Sequence, residues 1–201
     1  MTVIGITGPS GAGKGALSAI LRTKYGFNVI DADSIYHSLV SAPSPCLNEI
    51  KLNFGDEVIS QNGSLDRKAL SNIVFGDSNA DKLMLLNQIT HKYVTERILN
   101  EIEHSRSQGT NCVVDAPLLI EAGLTKYCDF TLAVLADEKT RIGRIIARDM
   151  ISCDKASARI TSQKSDSYYS QHADYTVINE SDISLLETSI SKILSERRVL
   201  I

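Results

Sequence analysis

Eight consecutive residues near the start of the chain have the composition of a phosphate-binding loop. They are Gly8-Pro9-Ser10-Gly11-Ala12-Gly13-Lys14-Gly15, and they match the pattern G-x-x-x-x-G-K. Glycine has no Cβ and adopts positive φ readily, so backbone N–H groups of such a loop can turn inward around phosphate oxygens. Lys14 brings a positive charge to the same oxygens. The loop therefore predicts nucleotide binding, by these eight residues and by Ala16, which follows them.

The segments on both sides of the loop are those that phosphate binding requires. Residues 2–7 form an apolar, β-branched run that predicts a buried strand. Beyond the loop, apolar residues recur at helical spacing, namely Ala16, Leu17, Ile20 and Leu21. The N-terminus of a helix carries a partial positive charge that favours anions. The alternative, a glycine-rich turn that only packs a strand on a helix, is disfavoured by this setting.

The residue after the lysine departs from the usual pattern. Gly15 and Ala16 stand where a Ser or Thr hydroxyl normally provides a ligand for Mg²⁺. Mg²⁺ in proteins usually keeps several waters, so a water held by Asp33 or Asp115 can take this position. Positioning and charge dominate phosphoryl transfer. We therefore expect phosphoryl-transfer activity to persist without this hydroxyl, although its absence can reduce the rate.

Carboxylates close two of the predicted strands. Asp31 ends the run 27–31 and Asp33 follows two residues later, while Asp115 ends the run 111–115. In open α/β sheets, ligands bind beyond the carboxyl ends of the strands. We expect one of the first two acids to cap the next helix and the other to take part in the chemistry. Asp115 is expected to orient Mg²⁺ through its water shell.

Three arginines are spaced by three and four residues on the predicted helix 137–150. Arg141, Arg144 and Arg148 therefore share one stripe, and a guanidinium binds phosphate oxygens in a bidentate way. The stripe predicts a lid over the phosphates, spanning about residues 141–172. A solvated basic face, balanced by neighbouring acids, is the alternative, and for Arg141 the two interpretations are equally supported.

The order of the remaining elements predicts an α/β fold. Strands are expected at 130–135 and 173–179 as well, with a short helix at 116–121. A Pro-containing break at 41–45 opens a stretch with only helical patterns, so we assign residues 41–108 to a helical acceptor-binding insertion. The core then comprises 1–40 and 109–201. On position alone, His91 in the long helix of the insertion is interpreted as a structural histidine.

Bulk properties exclude several classes of protein. The chain has 201 residues, 43% of them hydrophobic, and a net charge of −3, without the basic excess of a nucleic-acid-binding surface. Its four cysteines show no metal-type spacing. The first strand starts at once, without a signal peptide, and no apolar run approaches a membrane span. We expect a cytoplasmic protein with reduced thiols that contacts neither nucleic acid nor membrane.

Taken together, the motifs resemble those of the dephospho-coenzyme A kinase family. The match covers almost the whole chain in order, and its pieces are Val29-Ile30-Asp31-Ala32-Asp33, Leu65-Asp66-Arg67-Lys68-Ala69-Leu70, Ile73-Val74-Phe75, Asp115 to Glu121, Arg144 to Asp149, Arg159-Ile160-x-x-Gln163 and Ala173-Asp174-Tyr175 to Asn179. The family's phosphate loop normally continues Lys-Ser-Thr, and Pro normally follows the histidine that corresponds to His91. This chain has Gly15-Ala16 and Lys92 there.

The resemblance implies a P-loop kinase with a five-stranded parallel sheet, a helical acceptor subdomain and a lid. It implies transfer of the γ-phosphoryl of ATP, with Mg²⁺, to the ribose 3′-hydroxyl of dephospho-coenzyme A by a monomer or weak homo-oligomer. Asp33 corresponds to the acid that accepts or positions the hydroxyl proton; Arg144 and Arg148, with Lys14, complete the catalytic candidates. Asn179 falls near the adenine. The candidates for acceptor binding are Asp31, His91, Asp115, Pro117 and Leu118.

Two other functions remain open from the residues. The loop sequence Gly-Lys-Gly also occurs in cytidylate and adenylate kinases, and this similarity favours a nucleoside monophosphate kinase. The missing hydroxyl at Gly15 and Ala16 favours a catalytically weak nucleotide-binding relative. The complete series of motifs outweighs the single loop, and we expect the dephospho-coenzyme A reaction.

Overall fold

The computed structural model describes residues 1–41, 43–75, 79–180 and 182–199. Five parallel strands form one sheet in the order β2-β3-β1-β4-β5. The strands are β1 (Val3–Thr7), β2 (Asn28–Asp31), β3 (Cys112–Asp115), β4 (Phe130–Leu135) and β5 (Tyr175–Ile178). Each lies within the segment predicted from apolar, β-branched runs.

The register of the sheet brings the functional ends of three strands together. Ile6 of β1 pairs with Asp115 of β3, and Thr7 pairs with Ala133 of β4. β1 is thus central, and the loop that follows it leaves the sheet between two neighbours. Because all strands run the same way, Asp115 and the phosphate loop share the carboxyl edge of the sheet.

The described helices belong partly to the segments around the strands and partly to the insertion. They are α1 (Lys14–Tyr25), α2 (Ala32–Ser41), α3 (Pro45–Phe54), α4 (Arg67–Val74), α5 (Ala80–Ser107), α6 (Glu138–Asp149), α7 (Cys153–Thr161), α8 (Asp166–His172) and α9 (Ile183–Glu196). α1 begins directly at Lys14 and ends at Gly26, whose φ of 70° terminates the helix in the left-handed region.

The chain divides into two compact units. One comprises residues 1–30 and 102–201, the other residues 31–101. The first has a core of strand residues packed on α1 and α9, including Ile4, Leu17, Leu132 and Ile190. The second has its own apolar core, including Val40, Ile50, Leu70 and Ile89. The second unit overlaps most of the predicted insertion 41–108, and the roles assigned to the insertion and the lid stay predictions.

The short helix predicted at 116–121 is wrong. The chain makes consecutive turns over 117–123, and a single 3₁₀ turn follows at Leu124–Tyr127. Pro117 cannot donate a backbone hydrogen bond, and Gly123 takes a positive φ of 64° at the end of the turns. In the described residues, no helix combines the length and the apolar character needed to cross a bilayer.

Candidate active site

Three glycines of the phosphate loop are required by its backbone geometry. Gly8, Gly11 and Gly13 have φ values of 141°, 80° and 98°, which L-residues with a Cβ rarely adopt. A Cβ on Gly13 would lie 1.9 Å from Nδ2 of Asn179, and one on Gly8 would lie 2.2 Å from the carbonyl oxygen of Val134. The tight curvature predicted from the glycines is therefore present, with neighbouring elements packed against it.

Lys14 folds back over the loop that precedes it. Its Nζ donates to the carbonyl oxygen of Gly8 at 2.8 Å and to that of Pro9 at 3.4 Å. The ammonium thus lies against the loop, close to where the loop amides would hold phosphate oxygens. This arrangement fits the predicted role of Lys14 as a charge for phosphate.

Gly15 differs from the other loop glycines. It is exposed in the first turn of α1, and an added Cβ would meet no atom within 4 Å. Neither space nor backbone strain therefore requires glycine at this position.

Asp115 is oriented by a hydroxyl from the first helix. Oγ of Ser18 donates to its Oδ2 at 2.7 Å, and Ser18 is only 5% exposed. The sequence reasoning missed Ser18; its position one turn beyond Gly15 was the available signal. Next in the chain, Pro117 accepts a 3.2 Å hydrogen bond at its carbonyl oxygen from the buried Thr7 hydroxyl, and Leu118 is exposed.

Arg144 joins the phosphate loop to the chain after β5. Its Nη1 donates to the carbonyl oxygens of Gly11, Ala12 and Asn179 at 3.2, 3.2 and 2.9 Å. The side chain of Asn179, itself buried, donates from Nδ2 to the Ala12 oxygen at 2.9 Å. Arg144 and Asn179, which were predicted to contact different parts of a nucleotide, thus contact each other and the carbonyl oxygen of Ala12.

The interpretation of Arg141 as a solvated basic residue is wrong. Arg141 is 5% exposed, and its Nε donates to the carbonyl oxygen of Ser10 at 3.1 Å. Its terminal nitrogens donate to Asp166 at 3.2 Å and to Gln163 at 3.4 Å. A buried guanidinium is tolerated because its N–H groups find acceptors. Spacing alone could not distinguish this position from the rest of the stripe.

Gln163 is a second contact that the site prediction missed. Its Oε1 accepts a 3.0 Å hydrogen bond from the backbone N–H of Ser10. Both backbone groups of Ser10 are therefore held, the N–H by Gln163 and the carbonyl by Arg141. Gln163 belongs to the Arg159-to-Gln163 motif, which was the signal that could have identified it.

Arg148 lies further along α6, with its side chain 60% exposed. Its Nε and Nη2 donate to the two oxygens of Asp149 at 2.7 and 3.0 Å, and Arg159 donates to Asp149 as well. The hydrogen bonds from Arg148 and then Arg159 hold the pKa of the Asp149 carboxyl well below its usual range. Arg148 is thus part of an ion-pair network that links α6 to α7.

In the unit of residues 31–101, Asp31 is the helix cap. Its Oδ1 accepts from the backbone N–H groups of Asp33 and Ser34 at 2.9 and 3.1 Å. Asp33 is exposed in the first turn of α2, which leaves it as the acid available for chemistry. His91 is half-buried on α5. In the part of the chain that the structure describes, no three acidic, His or Cys side chains form a metal-binding group.

Three of the four thiols are made unreactive by burial. All four cysteines are free, with Cys46 and Cys112 buried. Burial raises the pKa of both of these thiols to about 11 and that of Cys128 to about 12. Such groups are protonated at neutral pH and are poor nucleophiles and poor metal ligands.

Comparison with known proteins connects this geometry to one family. The family model for dephospho-CoA kinase matches residues 2–184. A dephospho-CoA kinase of Carboxydothermus hydrogenoformans is 34% identical over 197 residues, which cover 98% of this chain and 94% of that protein. The chain belongs to the dephospho-CoA kinase family. It is therefore a phosphotransferase, and the family's reaction is the last step of coenzyme A biosynthesis.

Solved structures share the fold of this chain. A crystal structure from Thermus thermophilus superposes with a TM-score of 0.79 at 30% identity and covers 97% of both chains. A dephospho-CoA kinase from Campylobacter jejuni has the same fold, with a TM-score of 0.69 at 24% identity over 96% of both chains. Kinases of this family use ATP and act on a small-molecule substrate.

Proposed function

We propose that this chain transfers the γ-phosphoryl group of ATP to the ribose 3′-hydroxyl of dephospho-CoA, which yields coenzyme A and ADP. The observation that carries the proposal is the phosphate loop, with Lys14 folded over it and Arg144 and Asn179 packed against its carbonyl oxygens. Membership of the family selects the acceptor.

The loop binds the nucleotide through backbone donors and charge. Its N–H groups and the N-terminus of α1 hold the β- and γ-phosphates, and Lys14 neutralises the charge that develops on the transferred group. Arg144 keeps the loop in shape through the carbonyls of Gly11 and Ala12. Asn179, at the end of β5, lies on the side that the adenine approaches.

Asp33 receives the proton of the attacking 3′-hydroxyl or holds that hydroxyl in line with the γ-phosphorus. Its exposed position beside the Asp31 cap leaves its carboxylate for this role. Arg148 stabilises the equatorial oxygens of the transferred group when the lid closes. We assign Asp31, His91, Asp115, Pro117 and Leu118 to binding of the acceptor.

In this chain, carboxylates are better candidates for holding Mg²⁺ than a directly bound side-chain hydroxyl. Either Asp115, oriented by Ser18, or Asp33 would hold it through water, because Gly15 and Ala16 have no side-chain oxygen. Bound there, it supplies charge neutralisation for the β- and γ-phosphates. We also place the protein in the cytoplasm, as a monomer or weak homo-oligomer that acts on small molecules.

A coupled assay of ADP release with dephospho-CoA, CMP and AMP tests the function. We expect turnover with dephospho-CoA to exceed that with CMP or AMP by orders of magnitude. Preference for CMP or AMP would assign the chain to the nucleoside monophosphate kinases, and binding of ATP without any turnover would make it a catalytically silent relative.

The same assay with the Lys14→Ala variant tests whether turnover depends on the phosphate loop. The lost contact with phosphate corresponds to about 1.5–3 kcal/mol, and we expect a fall in turnover of at least tenfold. Lys24→Ala is the matched control, because Lys24 lies on the same helix but pairs with Glu187 on the surface. Parental turnover by Lys14→Ala would refute the role of the loop.

A further inference from the structure

Two basic side chains from different helices are in direct contact in the unit of residues 31–101. Nη2 of Arg67, the first residue of α4, contacts Nδ1 of His37 on α2. Both residues are exposed. Among the residues that the structure describes, no carboxylate lies within ion-pair distance of either side chain. Adjacent basic groups without a counter-charge are a feature of anion-binding sites.

Backbone hydrogen bonds fix the position of this pair. The N–H of Leu65 donates to the carbonyl oxygen of Val40 at 2.9 Å, which ties the chain before α4 to the end of α2. The Asp66 side chain caps α4 by accepting from Lys68 N and Ala69 N at 3.0 and 2.9 Å. Val40 and Leu65 are buried, so a packed core holds the arginine opposite the histidine.

The chemistry of the contact leaves several donors for a ligand. A guanidinium has only N–H donors, so Nδ1 of His37 must accept the hydrogen bond and Nε2 carries the proton. In the described part of the chain, the guanidinium of Arg67 has no hydrogen bond other than the one to His37. Its remaining N–H groups and Nε2–H of His37 can therefore donate to the same anion. A fork of N–H groups matches two phosphate oxygens at once.

The pair lies one helical turn from the acid proposed for catalysis. His37 follows Asp33 by four residues on α2, so the two side chains share a face with Cβ atoms about 5–6 Å apart. This separation is comparable to that across a ribose ring, between the 3′-hydroxyl and the 5′-phosphate. A carboxylate at the hydroxyl would also repel the diphosphate of the same molecule unless a cation stood beside it.

We propose that Arg67 and His37 bind the 5′-diphosphate of the acceptor while Asp33 engages its 3′-hydroxyl. The proposal rests on the function proposed above and identifies the part of the acceptor that this unit recognises. The site selects acceptors that carry a diphosphate over bare nucleosides. The competing interpretation is that the contact only fastens α2 to α4, in which case it would not distinguish between acceptors.

Binding measurements on two ligands separate these interpretations. Calorimetry with the full chain, saturated with a non-hydrolysable ATP analogue, gives Kd for dephospho-CoA and, by displacement, for adenosine. For Arg67→Gln we expect Kd for dephospho-CoA to rise about tenfold or more, the loss of one charge-assisted hydrogen bond, with Kd for adenosine unchanged. Arg67→Lys keeps the charge without the fork and should fall between. Lys68→Gln, the neighbouring exposed cation, should bind both ligands as the parent does.

The results that would overturn this binding site differ from those that would refute the proposed function. Equal weakening of both ligands by Arg67→Gln, or no weakening of either, would leave the pair with a structural role only. Failure of the parent to bind dephospho-CoA would also overturn the proposal. If the parent binds dephospho-CoA in an Arg67-dependent way but forms no coenzyme A, the proposed function fails and the binding site stands.

Discussion

The hydroxyl of Ser18 donates a 2.7 Å hydrogen bond to Oδ2 of Asp115. Ser18 is buried on α1, and Asp115 is the last residue of β3. The general phosphate-loop pattern has a Ser or Thr hydroxyl directly after the lysine, and Gly15 stands at that position in this chain. The first hydroxyl of α1 comes one turn later, at Ser18, and it orients the Asp115 carboxylate.

Ser18→Ala should raise the Mg²⁺ concentration that half-maximal turnover requires. A hydrogen bond to a charged group contributes about 1.5–3 kcal/mol, and without it the carboxylate of Asp115 is less well oriented for a metal-bound water. A Mg²⁺ titration of the initial rate at fixed ATP measures the shift. Thr23→Ala is the control, because its hydroxyl bonds Ala19 on the same helix, at an exposed position. Coincident titration curves for Ser18→Ala and the parent would remove Asp115 from the metal site.

Gly15 and Gly13 should respond in opposite ways to a side chain. A Cβ at Gly15 meets nothing within 4 Å, so Gly15→Ser should fold, add an oxygen near the β- and γ-phosphates and lower the Mg²⁺ requirement. Gly13→Ala places a Cβ 1.9 Å from Nδ2 of Asn179 at a φ of 98°, and it should abolish ATP binding. Isothermal titration with ATP and the Mg²⁺ titration measure both effects. Loss of activity in Gly15→Ser would contradict the open space seen at this position.

Arg141 and Arg148 should differ in what their loss affects. Arg141→Lys removes the buried fork that holds Ser10, Asp166 and Gln163, so it should lower Tm and raise KM for ATP, at a cost of about 1–3 kcal/mol. Arg148→Lys, at an exposed position, should leave Tm almost unchanged and lower kcat, because the role that we propose for its fork is in the transition state. Thermal unfolding and steady-state kinetics of both variants test this. Equal losses of Tm would contradict the difference in burial.

Asp33→Asn should lower kcat by at least about a hundredfold, the lower range for a general acid–base group. An amide cannot accept the hydroxyl proton, while the phosphate loop that binds ATP is unchanged. ATP affinity and kcat should be measured side by side, with Asp182→Asn as the control, because Asp182 only caps α9. A large loss of ATP affinity with normal kcat would assign Asp33 to nucleotide binding.

The sheet and the loop were predictable because they depend on local sequence. Apolar β-branched runs located all five strands, and the spacing of Gly8, Gly13 and Lys14 identified the nucleotide-binding loop. The acids at strand ends followed from a general property of parallel sheets, which is why Asp115 was expected at this edge. The split between Asp31 as cap and Asp33 as the exposed acid also follows from local geometry.

The contacts that hold the loop were not predictable, because they join distant parts of the chain. Arg141 and Arg148 are both arginines on one stripe of the same helix. Arg141 is nevertheless buried beside Ser10, whereas Arg148 is exposed. Which arginine is buried depends on the position of Gln163 and Asp166 in space, and helical spacing contains no such information. The turn at 117–123 was missed because Pro117 disrupts an apolar run that otherwise resembles a helix.

The position of the transferred phosphoryl group tests the central claim most directly. Purified protein is incubated with ATP and dephospho-CoA, and the product is analysed by phosphorus NMR and mass spectrometry. We expect a product heavier by one phosphoryl group, with a new phosphomonoester coupled to the ribose H3′ proton, and at least tenfold slower formation of this product with Lys14→Ala. A phosphoryl group at any other position, or ADP formation without a phosphorylated acceptor, would contradict the assignment of this chain as a 3′-hydroxyl kinase.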